Sequence, residues 1–329
     1  MKIFITGGAG YIGGTVARIL LAAGHEVTIY DNFCHSTREA LPQGALSVEG
    51  DLRDTALLTK TLSENGPYDG VMHFAGLIEV GQSVAEPELY FRDNVEGTLS
   101  LLEAMAATKH DRIIFSSSAA VYGQPEKTPI TEDAPTAPTS PYGETKLVVE
   151  KMLKWSAGAH GLRWAALRYF NVAGAIDGYG EAHEPESHLI PIILDAALGR
   201  RPSIAVFGDD YPTRDGTCVR DYVHVSDLAR AHLMALDAIA KADPGQGGLI
   251  YNLGNGEGFT VKEMIEAARR VTGAPIPAET KPRRAGDPAE LLADAQKIGR
   301  ELGWKPEFTK IDDIIASAWT WHKARFGKA

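Results

Sequence analysis

Short β-branched runs alternate with longer helical patterns through the first half of the chain, and this alternation limits the fold more than any other feature. Lys2–Thr6 and the stretches 26–30, 45–49, 70–74, 112–116 and 163–168 read as strands. Ile12, Val16, Ile19, Leu20 and Ala23 recur on one face of a helix that Gly24 closes. Further helical patterns occupy 56–62, 90–106 and 143–156. Strands joined by crossover helices must run parallel, so the expected class is α/β, a doubly wound parallel sheet.

The second half is less regular. Segments 179–187 and 207–217 are rich in Gly, Pro, Asp and His and read as long loops. Such loops in a compact domain usually carry function. Helical patterns return at 189–198, 225–239, 261–271 and 311–324. A smaller C-terminal lobe over the carboxyl ends of the sheet is expected, where open α/β sheets bind ligands. The expected division is 1–170 and 171–329, with 219–239 returning to the first part.

A Gly-rich turn follows the first strand. In Ile3-Phe-Ile-Thr-Gly-Gly-Ala-Gly-Tyr-Ile-Gly13, Gly7, Gly10 and Gly13 run from strand end into helix. That arrangement permits a tight turn and brings backbone to a pyrophosphate at the helix N-terminus, a Rossmann-like dinucleotide site. Asp31 ends the second strand, where a carboxylate accepts from a ribose 2′-OH and repels a 2′-phosphate, so NAD is expected over NADP. An Asp opening the Asp31-Asn32 turn is the other reading. Asp51-Leu52, after the third strand, is placed for an adenine amino group or for a helix start. Phe74-Ala75-Gly76 and Asn94 are weaker signals that gain meaning together.

Tyr142 and Lys146 stand one helical turn apart, and Ser116-Ser-Ser118 ends the strand before them. A free tyrosine, with pKa near ~10, is a poor base at neutral pH. A neighbouring ammonium and a positive nicotinamide ring both favour phenolate. Tyr142 is then the candidate base, Lys146 its electrostatic partner, and Ser118 the hydrogen-bond partner of the reacting oxygen.

Thr6-Gly-Gly-Ala-Gly-Tyr-Ile-Gly13, Tyr142-Gly-Glu-Thr-Lys146 and the Ser118 strand end resemble the extended short-chain dehydrogenase/reductase superfamily. Phe74-Ala-Gly-Leu77, Ser83-Val-Ala-Glu-Pro87, Arg168-Tyr-Phe-Asn171 and Gly208-Asp-Asp-Tyr-Pro-Thr213 running to Val219-Arg-Asp-Tyr222 narrow the resemblance to its UDP-sugar 4-epimerases, over essentially the whole chain. The resemblance implies NAD contacts at Tyr11, Ile12, Asp31, Asn32, Asp51, Leu52, Phe74, Ala75, Gly76, Leu77, Ile78, Asn94, Ser118, Tyr142, Lys146 and Phe170. It implies UDP-sugar contacts at Asn171, Leu189, Ala205, Val206, Phe207, Arg220 and Arg284 through Asp287, besides Ser118 and Tyr142. As bare residues, Arg220 reads equally as a surface ion-pair partner and Phe207 as core.

The chain departs from some members at three positions. His188 stands for a uridine-contacting Asn, Ile78 for a Lys against the cofactor, and Leu291 for a bulky Tyr that excludes N-acetylated sugars. The implied activity is interconversion of UDP-galactose and UDP-glucose through a 4-keto sugar, with UDP-N-acetylhexosamine or UDP-pentose as the alternative substrate. Ala119-Ala120 after Ser118 argues against a dehydratase, which places an Asp-Glu pair there, and the intact trio argues against a non-catalytic NAD sensor. A homodimer through helices of the first lobe is implied as well. The 33 Lys+Arg against 43 Asp+Glu, net −10, oppose nucleic-acid or anionic-membrane binding. Two cysteines are too few for a disulfide framework, and with no apolar span or leader pattern a cytoplasmic location is expected. His183 and His188 lack matching ligand spacing, so no metal is expected.

Overall fold

The computed structural model describes residues 1–183, 185–245, 247–284 and 287–327. The chain divides into two compact units. The first comprises Met1–Gly123, Pro135–Tyr169 and Ala229–Tyr251; the second comprises Gln124–Ala134, Phe170–Leu228 and Asn252–Ala329.

Strands β1 (Lys2–Thr6), β2 (Glu26–Asp31), β3 (Leu46–Glu49), β4 (Gly70–His73), β5 (Arg112–Ser118) and β6 (Arg163–Tyr169) alternate with helices in the first unit. The seven-stranded sheet runs Leu249–Leu253, β6, β5, β4, β1, β2, β3. Pairings between the six numbered strands are parallel. Strand order reverses between β1 and β4, which opens a crevice at their carboxyl ends. Helices α1 (Tyr11–Ala22), α2 (Thr55–Asn65), α3 (Val80–Ala85), α4 (Pro87–Tyr90), α5 (Gly97–Ala107) and α6 (Pro141–His160) belong to this layered unit.

The helix expected over 90–106 is present but changes its winding on the way. Phe91–Glu96 is π-helical, between α4 and α5, and it holds Asn94. Such one-turn widenings are frequent at functional sites and leave no hydrophobic-period signal.

Phe4, Leu58, Leu62, Leu101, Ile113, Phe115, Val149 and Leu153 belong to the core of the first unit. Leu58 is fully buried. Leu58→Ala is expected to cost about 2–5 kcal/mol, because the cavity adds to the lost transfer energy. Urea unfolding measures it, and a loss well under ~1 kcal/mol would contradict this packing.

In the second unit, Val219–His224 pairs with Asn171–Ala173, Gly258–Thr260 and Glu290–Leu291. These pairings correct the expected return of 219–239. The strand stays in the second unit, and only the part of helix Val225–Lys241 from Ala229 onward lies in the first. Ile204–Phe207 pairs in parallel with Ala278–Lys281. Ile190, Ile193, Leu194, Val206, Met264, Ile265, Ile314 and Ile315 are core residues of this unit. No helix among the described residues is long and apolar enough to cross a membrane.

Candidate active site

The turn between β1 and α1 is built by close approach. Gly7 has φ +71°, and a Cβ there would stand 2.5 Å from the Ala75 nitrogen. A Cβ on Gly13 would stand 2.3 Å from the Gly7 carbonyl oxygen. These two positions fold the turn onto itself and onto the end of β4. A Cβ on Gly10 would come no nearer than 3.4 Å to the Gly7 carbonyl oxygen, so packing within the turn does not itself demand glycine there. The first turn of α1 carries no acidic residue, which suits an anionic group.

Asp31 fulfils the turn reading and is tied to the glycine turn as well. Its Oδ1 accepts from the Phe33 backbone nitrogen at 2.9 Å, and its Oδ2 from the Ala9 nitrogen at 2.9 Å. Asp51 is not the helix-start residue, because Asp54 caps α2 by accepting from the Leu57 nitrogen. The Asp51 carboxylate instead receives the Arg53 side chain at 2.7 Å, which holds its pKa down to about 2, and the Asn32 amide at 3.4 Å. Leu52 packs beside Gly97, where a Cβ would lie 3.1 Å from the Leu52 Cβ.

Asn94 fixes the segment after β4. Its Oδ1 accepts from the Leu77 nitrogen at 2.8 Å, while its Nδ2 donates to the Leu77 carbonyl at 3.1 Å and to Thr145 Oγ1 at 3.1 Å. The Phe74 ring lies 4.8 Å from the His232 ring. Ile78 is exposed and Leu77 buried.

Helix α6 begins with Ser140 as cap, its Oγ accepting from the Gly143 nitrogen, and Pro141 in the first turn. A Cβ on Gly143 would stand 2.6 Å from the Ala120 carbonyl. Glycine between Tyr142 and Lys146 therefore lets the helix start sit against the turn that follows Ser118. Ser118 Oγ accepts from the Ala120 nitrogen at 3.2 Å, and the Ser118 side chain is near enough to the Tyr142 phenol to favour its ionised form. Lys146 Nζ donates to the Ser116 carbonyl at 2.9 Å and lies 5.8 Å from the Tyr142 ring centre. The sequence-expected trio is thus assembled in one place.

Burial pushes the Tyr142 phenol up, and the nearby Ser118 side chain opposes this. Burial also lowers the Lys146 ammonium to about 8, which leaves it mostly charged at neutral pH. Phenolate here needs further positive charge.

His73 escaped the sequence reading. It bridges Thr6 Oγ1 at 2.7 Å and Thr98 Oγ1 at 2.8 Å. Burial first, then the Lys146 charge, pushes its imidazole down to about 3. The unfolded chain, with an ordinary value near ~6.5, takes up the proton first on acidification. The stability contributed by neutral His73 is complete above pH ~6.5 and drains away toward pH ~3. His73→Gln is expected to flatten the fall of unfolding free energy across that window by up to ~1.4 kcal/mol per pH unit. Chemical denaturation in pH steps measures this; an unchanged slope would contradict it.

The expected nucleotide-sugar residues lie in the second unit. Arg220 donates to Asp287 Oδ1 at 2.5 Å and to the Val219 carbonyl at 2.8 Å. Leu291 is the sheet partner of Arg220. The Asn171 amide donates to the Asp221 carbonyl at 3.0 Å. The Arg284 guanidinium stacks 4.0 Å over the Phe207 ring, so Phe207 is not simple core. Ala285 and Gly286 lie outside the described residues. Along Ile204–Phe207 only Ala205 and Phe207 are partly exposed, and the Val206 side chain faces the core with Leu189 packed against that cluster. His188 precedes helix Leu189–Ala197, and its ring pairs with Glu186 at 2.8 Å. Phe170, expected with NAD, falls in the second unit, with its nitrogen bonded to the Leu253 carbonyl. Among the described residues no group of His, Cys, Asp and Glu suits a metal ion.

Residues 3–254 match the NAD dependent epimerase/dehydratase family. The chain is 50% identical to a UDP-glucose 4-epimerase of Streptomyces lividans, over 98% of this chain and 96% of that one. It superposes on a UDP-glucose 4-epimerase crystal structure with TM-score 0.95 and 48% identity, covering 100% of each chain. The Bifidobacterium longum UDP-glucose 4-epimerase, solved with NAD+ and UDP, gives TM-score 0.92 and 41% identity over 99% of each chain.

Proposed function

The chain belongs to the NAD dependent epimerase/dehydratase family, and from that membership we propose that it interconverts UDP-galactose and UDP-glucose by NAD-dependent epimerisation at C4. One observation carries the assignment of the chemistry. The Tyr142 ring lies 5.8 Å from the buried Lys146 ammonium, which is bonded to the Ser116 carbonyl of the strand that Ser118 ends, in the same unit as the glycine turn. The glycine turn and the neutral first turn of α1 fit a pyrophosphate, and Asp31 and Asp51 at the ends of neighbouring strands fit the adenosine half. Bound NAD supplies a hydride acceptor that later returns the hydride.

Tyr142 removes the proton of the sugar 4-OH at its phenolic oxygen, and Ser118 holds the same sugar oxygen. Lys146 favours the phenolate by charge. When the 4-keto sugar presents its opposite face, Tyr142 gives the proton back. The pyranose must therefore turn while UDP stays held. Arg220, Arg284 and Asn171 are the residues proposed for the diphosphate and sugar, with Phe207 for the uracil side. A guanidinium suits phosphate because its donors form a rigid fork. The first unit then holds NAD and the chemistry, and the second holds the nucleotide sugar.

Two finer proposals accompany this. Exposed Leu99 on α5 and Trp155 on α6, the latter 79% accessible, support a homodimer through helices of the first unit. Light scattering on the purified protein tests it, with a monomer mass as the contradicting result. Free Cys34 and Cys218 support a reducing, cytoplasmic location. Leu291, intermediate between the large and small residues of this position, keeps N-acetylated sugars as the second reading.

A coupled assay of holoenzyme with UDP-galactose, UDP-N-acetylgalactosamine and UDP-arabinose side by side tests the substrate. UDP-glucose formation from UDP-galactose as the fastest reaction is expected. Folded, NAD-loaded protein that forms none would overturn the assignment.

A further inference from the structure

The serines at the end of β5 have separate partners. The Ser116 carbonyl accepts from Lys146 Nζ, and Ser118 Oγ accepts from the Ala120 nitrogen in the turn on which the start of α6 sits. Ser117, 1% exposed, points to the other face of the sheet, where its Oγ donates to Glu150 Oε1 at 2.6 Å. Glu150 lies on α6 one turn beyond Lys146. Its two oxygens also receive Arg168 Nε at 3.0 Å and Nη2 at 2.6 Å from β6. Arg168 Nη1 donates to the Tyr122 hydroxyl at 2.8 Å, and its guanidinium lies 4.9 Å over that ring. Ser117 and Arg168 face each other in the strand register.

From this arrangement we propose that Ser117, Glu150 and Arg168 are positioning residues for the catalytic trio. They lock the end of β5 to α6, so that Ser118 stands near Tyr142 and the Ser116 carbonyl meets Lys146. An ion pair this deeply buried loses most of its Coulomb energy to desolvation, and apolar residues of similar volume would hold the fold as well. Its distinctive contribution is directional. Three bonds from two strands converge on one carboxylate, and they set the slide and rotation of the helix that carries Tyr142. An error of ~1 Å at a reacting centre costs about a hundredfold in rate.

The proposal rests on Tyr142 as the base, and the test separates the two. Ser117→Ala removes one bond and leaves the Glu150–Arg168 pair in place. Its holoenzyme is expected to lose about tenfold to a hundredfold in kcat while KM stays near wild type. Val149→Ala on the same helix removes buried apolar contact only, so it should lower Tm yet keep wild-type kcat. Wild-type kcat in Ser117→Ala would overturn the proposal, as would kcat losses that follow Tm equally in both variants. Turnover retained in Tyr142→Phe would instead overturn the base assignment itself.

Discussion

Tyr142→Phe loses about 10²–10⁴-fold in kcat while UDP and NAD still bind, because the change removes only the oxygen that exchanges the proton. The ring keeps its volume, so α6 keeps its seat against the turn after Ser118. The Ser118 hydroxyl remains to hold the sugar oxygen, but it has no charge partner of its own. A loss confined to kcat marks an interaction made in the transition state. Steady-state kinetics with isothermal titration of UDP measure both halves. A near-normal kcat would remove Tyr142 from the base role, and a parallel collapse of UDP affinity would show that the variant perturbs more than proton transfer.

Lys146→Met is the second large effect. Burial raises the Tyr142 phenol, and the ammonium beside it is a positive charge this chain itself supplies against that rise. The Met side chain fills similar space without charge and leaves the Ser116 carbonyl without its donor. The expected result is a fall of about a hundredfold or more in kcat at neutral pH. The direction of the pH dependence follows from the sign of the lost charge. With Lys146 gone, phenolate forms only at higher pH, so the acid limb of the kcat profile moves toward alkaline pH and part of the rate returns there. A profile of unchanged position would show that Lys146 acts by hydrogen bonding alone.

Several features were legible because they are local. The strand–helix alternation sets the parallel sheet, and the glycines that Gly7 and Gly13 represent are demanded by contacts within one turn. Tyr142 and Lys146 share a helix face through spacing alone. What escaped depends on partners distant in sequence. The short strands Asn171–Ala173 and Glu290–Leu291 have too few residues to show a period, and Leu249–Leu253 joins the sheet only through its pairing with β6. The π-helical turn around Asn94 looks like ordinary helix in an apolar pattern. His73 and Glu150 read as single polar residues until the fold surrounds them with Thr6, Thr98, Ser117 and Arg168. Asp51 is open to two roles in the sequence, and only the fold shows that Asp54 three residues on takes the helix cap. The substrate residues came mainly from resemblance, and their pairings, Arg220 with Asp287 and Arg284 with Phe207, appear only in three dimensions.

In the proposed reaction one carbon of the sugar gives up a hydride and takes the same hydride back on its other face, with Tyr142 moving the proton. UDP-galactose carrying deuterium at C4 tests this most directly. Incubated with the holoenzyme in ordinary water and examined by mass spectrometry and NMR, it should give UDP-glucose that retains the label at C4, with no net release of reduced cofactor. Label lost to solvent, or reduced cofactor accumulating in step with product, would contradict that course.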